Sequence, residues 1–192
     1  MKILILGGTW FIGRQLTHVL REHHDVWHFN RGTVPMKDVN LIQGDRFKNE
    51  TDKLKKFKCD IVIDLSCFNA EHFSNTYRYL RNNFNKYIFI STPSVKTDSL
   101  FGQDKLMAEK IIKRLPNYTI IRPAAVVGKY DYSNRFYFKN NKWRSSINHT
   151  QLAKNSYVTL EHLVDSIIKF IDENHSNKIY TINEQVGLVI DI

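Results

Sequence analysis

A glycine-rich turn near the N-terminus is the first group of residues whose types and spacing suggest chemistry. The segment Gly7-Gly8-Thr9-Trp10-Phe11-Ile12-Gly13 follows a short apolar run and precedes an amphipathic one. Glycines between a strand and a helix permit a tight turn, a close backbone approach to a ligand and close helix–strand packing. The amides and the positive dipole end of the helix would then bind a pyrophosphate. The alternative is a plain strand-to-helix turn.

Polar residues follow the next two apolar runs and extend this candidate site. Asn30 and Arg31 stand where a carboxylate would bind the adenosine ribose hydroxyls of NAD. A neutral amide and a cation favour instead the 2′-phosphate of NADP. The alternative for Arg31 is an exposed position in a turn. Asp45, followed by Arg46, could accept a hydrogen bond from the adenine amino group or cap a turn.

Other reactive side chains do not form a recognisable site. His23, His24 and His28 are close in sequence, but no cysteine or carboxylate joins them at the spacing of a zinc site. Cys67 has no histidine partner evident from the sequence and is interpreted as a small buried thiol. The sequence therefore predicts no metal site.

A segment rich in aromatic and basic residues, 128–157, interrupts the pattern of the chain. Its central part, from Tyr130 to Arg144, mixes tyrosine, phenylalanine and tryptophan with lysine and arginine. Long segments of this kind in compact domains are usually functional or mobile. We favour a substrate lid, which could bind the base and diphosphate of a nucleotide sugar. A surface for single-stranded nucleic acid is the less favoured interpretation. A lid packed only by its own aromatic rings is the remaining alternative.

Short β-branched runs alternate with amphipathic segments along the rest of the chain. The pattern predicts strands at 2–6, 26–29, 39–42, 60–65, 87–90, 118–121 and 178–183, and helices at 11–21, 70–83, 101–114 and 160–171. Such alternation indicates parallel strands joined by helical crossovers, with both faces of the sheet covered. We therefore predict one α/β domain over residues 1–192, a Rossmann-like doubly wound parallel sheet with a small irregular C-terminal lobe.

Composition is consistent with this interpretation. The chain has 192 residues, of which 42% are hydrophobic, so it can bury a core and is not a disordered or collagen-like chain. Two cysteines are too few for a disulfide scaffold and favour a cytoplasmic location. No apolar run approaches the roughly 20 residues that a membrane span needs. The formal net charge of +9 favours anionic partners.

The order and spacing of these motifs resemble the short-chain dehydrogenase/reductase superfamily, in its extended or atypical class near the nucleotide-sugar epimerases and dehydratases. The similarity extends over nearly the whole chain. It rests on Gly7–Gly13, Asn30-Arg31-Gly32, Gly44-Asp45-Arg46, Val62-Ile63-Asp64-Leu65, Phe89–Val95, Phe101–Lys105, Ile121-Arg122-Pro123 and Tyr157–Asp165. RNA-binding relatives of the same class carry a similar glycine turn, so the turn alone does not define the activity.

The resemblance implies where a dinucleotide would lie. The pyrophosphate would be held by Gly7, Gly8, Thr9, Phe11, Ile12 and Gly13. Asn30 and Arg31 would lie near the adenosine ribose, and Asp45 and Arg46 near the adenine. The wall beside the nicotinamide ribose would be Leu65, Ser66 and Cys67, and the nicotinamide itself would lie against Pro123 and Ala124.

The resemblance also implies a catalytic group, and here the sequence departs from the family pattern. Thr92 matches the residue that hydrogen-bonds the reacting oxygen, and Lys105 matches the lysine that binds the nicotinamide ribose. Phe101 occupies the place of the tyrosine that serves as general acid/base, and a phenyl ring has no proton to transfer. Loss of a positioned acid/base typically costs about 10²–10⁴-fold in rate. Cofactor binding is therefore better supported than hydride chemistry.

These observations predict an NAD(P)-binding, epimerase/dehydratase-like protein that acts on a nucleotide sugar and prefers NADP to NAD. The alternatives are a non-catalytic dinucleotide sensor or scaffold, and an RNA-binding member of the same fold. Dimerisation through the predicted helices 70–83 and 101–114 is common in relatives and is a possible arrangement here.

Overall fold

The computed structural model describes residues 1–34, 36–48, 50–172 and 175–191. The strands are β1 (Lys2–Leu6), β2 (Asp25–Asn30), β3 (Asn40–Gln43), β4 (Ile61–Asp64), β5 (Lys86–Ile90), β6 (Tyr118–Pro123), β7 (Ala125–Val127), β8 (Phe136–Lys139), β9 (Lys142–Ser145), β10 (Tyr157–Thr159), β11 (Lys178–Asn183) and β12 (Gly187–Asp191). The helices are α1 (Phe11–Leu20), α2 (Ala70–Leu80), α3 (Leu100–Ile112) and α4 (Leu160–Asp172). Within the described ranges, no helix combines the length and the apolar character needed to cross a bilayer.

Eight strands form one sheet in the order β12-β11-β6-β5-β4-β1-β2-β3. Every neighbouring pair is parallel except β11 and β12, which are antiparallel. From β1 the chain proceeds through β2 and β3 on one side, then crosses to β4 on the other. The predicted Rossmann-like fold class is confirmed. The change of direction between β1 and β4 leaves a crevice at their carboxyl ends, where sheets of this type bind ligands.

Side chains of β1 alternate between two hydrophobic cores, one on each face of the sheet. Ile3 and Ile5 belong to the core that includes residues of α1 and α4, whereas Leu4 and Leu6 belong to the core that includes residues of α2 and α3. Successive residues of a strand point to opposite faces, so a strand buried on both must be apolar throughout. This requirement explains the uninterrupted apolar run at the start of the sequence.

The C-terminal part contains three arrangements that the hydrophobic pattern did not predict. β7 pairs with β10 in parallel, and β8 pairs with β9 as a hairpin, so segment 128–157 is more regular than expected. β12 adds an antiparallel edge to the main sheet. Helix α3 begins at Leu100, one residue earlier than predicted, because the Ser99 side chain accepts a hydrogen bond from the Gly102 amide at 3.1 Å.

A buried histidine determines how α1 meets the sheet. His28 of β2 is 2% exposed, and its Nε2 lies 2.8 Å from the Thr17 hydroxyl of α1. A Cβ atom on Gly8 would lie 2.3 Å from His28 Nε2, so the space that a side chain would occupy is filled by imidazole. Burial lowers the pKa of His28 to about 4, and the ring is neutral near pH 7. Gly8 therefore meets a packing requirement that the sequence motif did not reveal.

We expect Gly8→Ala to lower the free energy of unfolding by about 1–3 kcal/mol, because the added methyl group overpacks this contact. In a His28→Ala background the same change should cost much less, since the ring is gone. Urea unfolding of the four variants gives the coupling energy. Equal costs in both backgrounds would show that His28 is not the obstacle.

Candidate functional site

A cavity of about 500 Å³ opens at the carboxyl edge of the sheet. Its walls come from the residues that follow β1, β2, β3 and β4, which the parallel topology brings to the same edge. The lining residues are Gly7, Thr9, Trp10, Phe29, Asn30, Arg31, Thr33, Gly44, Asp45, Arg46, Phe47, Leu65, Ser66 and Phe68. The site therefore forms at the topological switch point, where the fold predicts a ligand.

The glycine turn forms one end of the cavity in a conformation that side chains would prevent. Gly7 has φ +90°, and a Cβ atom there would lie 2.8 Å from Ser66 Cβ. A Cβ atom on Gly13 would lie 2.6 Å from the Gly7 carbonyl oxygen. Trp10, the N-cap residue, makes no side-chain hydrogen bond to the helix amides in the described structure, and the first turn of α1 has no acidic residue. This helix terminus suits an anion from outside.

The end of β2 presents an unpaired hydrogen-bond donor. Asn30 Oδ1 accepts from the Gly32 amide at 2.8 Å, which fixes the orientation of the side-chain amide. Asn30 Nδ2 is buried and has no hydrogen-bond partner among the residues that the structure describes. An unsatisfied buried donor costs about 1–3 kcal/mol, so a ligand acceptor would be favourable here. Arg31 beside it is exposed and lines the same cavity.

A buried ion pair forms the floor of the cavity. Arg46 donates to both carboxylate oxygens of Asp64, at 2.9 and 3.1 Å. Its guanidinium also donates to Ser66 Oγ, the His72 carbonyl and Thr76 Oγ1, at 3.1, 3.1 and 2.8 Å. These contacts use both terminal nitrogens of Arg46, whereas its buried Nε has no hydrogen-bond partner among the described residues. Arg46 thus supports the cavity wall, and its expected role near the adenine stays a prediction.

The charge of Arg46 keeps Asp64 ionised. Asp64 is completely buried, and burial alone would raise its pKa, but the charge and hydrogen bonds of Arg46 and two further hydrogen bonds hold the pKa below its usual value. One of these bonds comes from the Tyr87 hydroxyl at 2.6 Å, and another from the Ser66 amide at 3.1 Å. Burial and the neighbouring carboxylate raise the pKa of Tyr87 well above its ordinary value, so it remains a donor.

Two exposed phenylalanines line the cavity and were missed by sequence reasoning. Phe47 and Phe68 are 61% and 47% exposed, and their ring centroids are 6.4 Å apart. Flat rings held at a cavity wall suit the face of an aromatic ligand. Asp45 Oδ1 accepts from the Phe47 amide at 2.9 Å, which is the turn-capping alternative considered for this residue. An aromatic residue in the loop just after a predicted strand and its Gly44-Asp45-Arg46 turn is the signal that could have identified Phe47.

Cys67 is not among the residues that line the cavity. Its side chain is completely buried, its Sγ donates to the Asn69 carbonyl at 3.2 Å, and burial raises its pKa to about 12. The thiol therefore belongs to the core, as the residue type alone suggested. Its neighbours Leu65 and Ser66 do line the cavity, and Phe68 takes the place expected for Cys67.

Lys105 is enclosed by aromatic rings beneath the cavity. Its Nζ donates to the Ile90 carbonyl at 2.8 Å and lies 4.7 Å from the ring centroid of Phe89. The centroids of Phe68 and Phe101 are 5.8 and 5.9 Å away. Burial lowers the pKa of Lys105. A neutral lysine at this position would be a proton acceptor, but its donor bond to a carbonyl favours the charged form.

The hydroxyl of Thr92 is available as a donor. Thr92 follows β5, and its Oγ1 accepts from the Ser94 amide at 3.2 Å at the start of a short 3₁₀ turn, Pro93–Lys96. This leaves the hydroxyl hydrogen free to point elsewhere. Phe101 is 47% exposed at the start of α3, one helical turn before Lys105. Its ring has space around it for a further substituent.

The structure thus brings together half of the predicted site residues at the cavity. Those that line it are Gly7, Thr9, Asn30, Arg31, Asp45, Arg46, Leu65 and Ser66. Those outside its described lining are Gly8, Phe11, Ile12, Gly13, Cys67, Thr92, Lys105 and Pro123. Phe11 and Ile12 pack against the core, and Pro123 is buried at the end of β6. Their assigned roles stay predictions.

Residues 3–90 match the model of the NAD dependent epimerase/dehydratase family. The expected resemblance to the epimerases and dehydratases is confirmed over these residues. The matched residues include the glycine turn and all four strands whose ends line the cavity. No curated protein sequence matches the chain.

Solved structures with the same fold include a short-chain dehydrogenase/reductase and two nucleotide-sugar epimerases. A short-chain dehydrogenase/reductase from Veillonella parvula DSM 2008 in complex with NADP is 16% identical, covering 98% of this chain and 96% of that one, with a TM-score of 0.73. UDP-glucuronic acid 4-epimerase from Bacillus cereus in complex with NAD is 15% identical, covering 99% and 80%, with a TM-score of 0.73. UDP-N-acetylglucosamine 4-epimerase from Methanobrevibacter ruminantium M1 is 12% identical, covering 98% and 78%, with a TM-score of 0.72. At these identities the similarity shows the fold alone.

We expect Asp64→Asn to lower the free energy of unfolding at pH 7 by about 3–5 kcal/mol, because it leaves the buried Arg46 charge without its partner. Asp52→Asn, at an exposed carboxylate, is the control and should change it by less than about 0.5 kcal/mol. Urea unfolding measures both.

The same variant should also alter the acid sensitivity of the fold. The pKa of Asp64 is lower when folded, so its stabilising contribution is complete above the unfolded carboxylate pKa of about 4 and is lost as pH falls through the folded value. Asp64→Asn should remove this component of the pH dependence. An unchanged slope of stability against pH in the acid range would contradict the assignment.

Proposed function

We propose that the protein binds NADP in the cavity, in preference to NAD, and acts on a nucleotide sugar. The observation that carries the cofactor proposal is the unpaired Nδ2 of Asn30. A donor at this position suits the oxygens of a 2′-phosphate. The two hydroxyls of an unmodified ribose need an acceptor there.

The remainder of the cavity supports the same orientation of the dinucleotide. The amides at the start of α1, free of a side-chain cap from Trp10, suit the pyrophosphate. Arg31 adds a cation beside Asn30, and Phe47 and Phe68 offer their rings to the adenine or to another flat group.

The reacting end of the site combines a hydroxyl donor with a missing acid/base. NADP, when bound, supplies reversible hydride exchange. Thr92 would orient the reacting oxygen by a hydrogen bond from its hydroxyl. Lys105 would place a positive charge near the reacting groups, on the side where the ring of Phe68 lies 5.8 Å from its Nζ. Phe101 cannot accept the proton, so turnover depends on another acceptor and should be slow. This departure is also what favours the alternative, a dinucleotide sensor without catalysis.

A nucleotide sugar is the proposed substrate because of the family match and the segment beside the cavity. The Tyr132 ring meets Trp10, a cavity residue, edge to face at 4.9 Å. The Arg14 guanidinium lies 5.0 Å from the Tyr130 ring centroid. The beginning of segment 128–157 thus packs against the glycine turn and its helix, as a lid over the site would.

We expect Asn30→Asp to reverse the preference between cofactors. The substituted carboxylate can keep the bond from the Gly32 amide, but it replaces the donor by an acceptor and adds a negative charge. NADPH affinity should fall by at least about tenfold, and NADH affinity should rise, as measured by titration of nicotinamide fluorescence.

Asn141→Asp, in the distant exposed turn of the hairpin, adds the same charge and should leave both affinities unchanged. If both variants changed the NADPH and NADH affinities equally, the effect of Asn30→Asp would come from the added charge and not from a specific contact of Asn30. Failure of the unmodified protein to bind either dinucleotide would overturn the proposed function altogether.

We expect Phe101→Tyr to raise the turnover of nucleotide sugars by about 10²-fold or more, because it restores a proton-transferring group above Lys105. Phe138→Tyr adds the same atom at an exposed ring of the hairpin and is the control. Single-turnover absorbance of the reduced nicotinamide detects the reaction. If NADP binds but neither the unmodified protein nor any variant turns over a nucleotide sugar, the proposed enzymatic activity is contradicted. The interpretation as a dinucleotide sensor would then stand.

A further inference from the structure

The hairpin β8–β9 carries charge that the proposed site does not use. Segment 128–157 contains six basic residues and one acidic residue, Asp131, so it holds more than half of the net charge of +9. Asp131 pairs with Arg135 at 3.9 Å. The hairpin forms a two-stranded sheet of its own, outside the eight-stranded one. The hairpin is thus a structural unit distinct from the sheet whose strand ends form the cavity.

The register divides the hairpin into two faces of different character. Lys139 pairs with Lys142, and Tyr137 with Arg144, which places three cations and a tyrosine on one face. Like charges directly opposite each other destabilise a strand pair. In the salt bridges of the described residues, no carboxylate contacts any of the three cations. An external anion would relieve this repulsion.

The opposite face presents aromatic rings. Phe138 pairs with Trp143, with ring centroids 5.2 Å apart, and Phe138 is 57% exposed. The two strands join through Asn140 and Asn141, which have φ of +53° and +57°, the left-handed geometry of a tight hairpin turn. The rings thus lie beside a polar tip, on the opposite face of the same two strands from the cations.

We infer that this hairpin binds single-stranded nucleic acid, with phosphates on the cationic face and bases on the rings. Such binding combines a basic surface with aromatic rings on which bases stack. A flexible strand can pass around the edge of a hairpin and contact both faces. A flat anionic membrane meets one face at a time, and the polar Asn140-Asn141 tip would keep the rings out of its apolar layer. The inference does not rest on the proposed dinucleotide site.

Fluorescence anisotropy of an end-labelled oligouridylate, titrated at several salt concentrations, tests the inference. Each phosphate contact on a single strand contributes about 0.7 to the slope of log K against log salt. Lys139→Gln/Lys142→Gln should therefore reduce that slope by about 1.4 and weaken binding by about tenfold or more near 0.1 M salt. Phe138→Ala should weaken binding by about fivefold or more and leave the slope unchanged.

Two matched variants make the result specific to the hairpin. Lys55→Gln/Lys56→Gln removes the same charge at exposed positions elsewhere and should keep most of the affinity. Lys139→Arg/Lys142→Arg keeps the charge and should bind as the unmodified protein does. Equal urea midpoints for all variants would show that the fold is retained.

Three outcomes would overturn the inference. The first is no binding of the oligonucleotide at low salt. The second is an equal loss of affinity in the two lysine-to-glutamine variants, which would indicate general charge attraction. The third is that the protein binds phosphatidylserine vesicles but not the oligonucleotide, and that Lys139→Gln/Lys142→Gln abolishes the vesicle binding. That result would assign the hairpin to a membrane surface.

Discussion

The buried ion pair between Arg46 and Asp64 is the interaction on which the cavity depends. Asp64 ends β4, Arg46 follows β3, and Thr76, which accepts a further bond from Arg46, lies on α2. Isolated charges could not be buried here, because each would lose several kcal/mol of hydration. Paired in two parallel hydrogen bonds and surrounded by further partners, they hold three elements at fixed positions around one open space.

The proposed function divides the site into a part that would bind the dinucleotide and a part that would react. The binding part would use backbone amides and the ends of β1 and β2, which the core positions directly. The reacting part would use Thr92 after β5 and Lys105 on α3, with Phe101 in the place of a proton carrier. Because different elements position the two parts, dinucleotide binding could persist without an acid/base group. The enzymatic and sensory proposals thus share one cofactor site.

Long elements could be predicted from the sequence because burial imposes a period on them. β1 is apolar from Ile3 to Leu6 and β4 from Ile61 to Ile63, and α4 repeats its apolar residues every three to four positions. The three-residue strands β7 and β10 are too short to show a period. The hairpin turn at Asn140-Asn141 had a local signal, two residues that tolerate positive φ between alternating aromatic and basic residues.

The candidate site could be located from the sequence but not described in its details. Glycine spacing and strand ends identified its position, since parallel strands end at one edge. The inward side chain of Cys67, the ion pair between Arg46 and Asp64 and the unpaired Asn30 Nδ2 depend on side-chain orientation, which residue type alone does not specify. The interpretation of segment 128–157 as a lid stays a prediction.

A crystal structure of the protein with NADP would test the central claim most directly. The account predicts the diphosphate against the amides of the turn between Gly7 and Gly13, and the 2′-phosphate within hydrogen-bond distance of Asn30 Nδ2. Electron density for the adenosine at another place, or a saturated crystal with the crevice between β1 and β4 filled only by water, would contradict it.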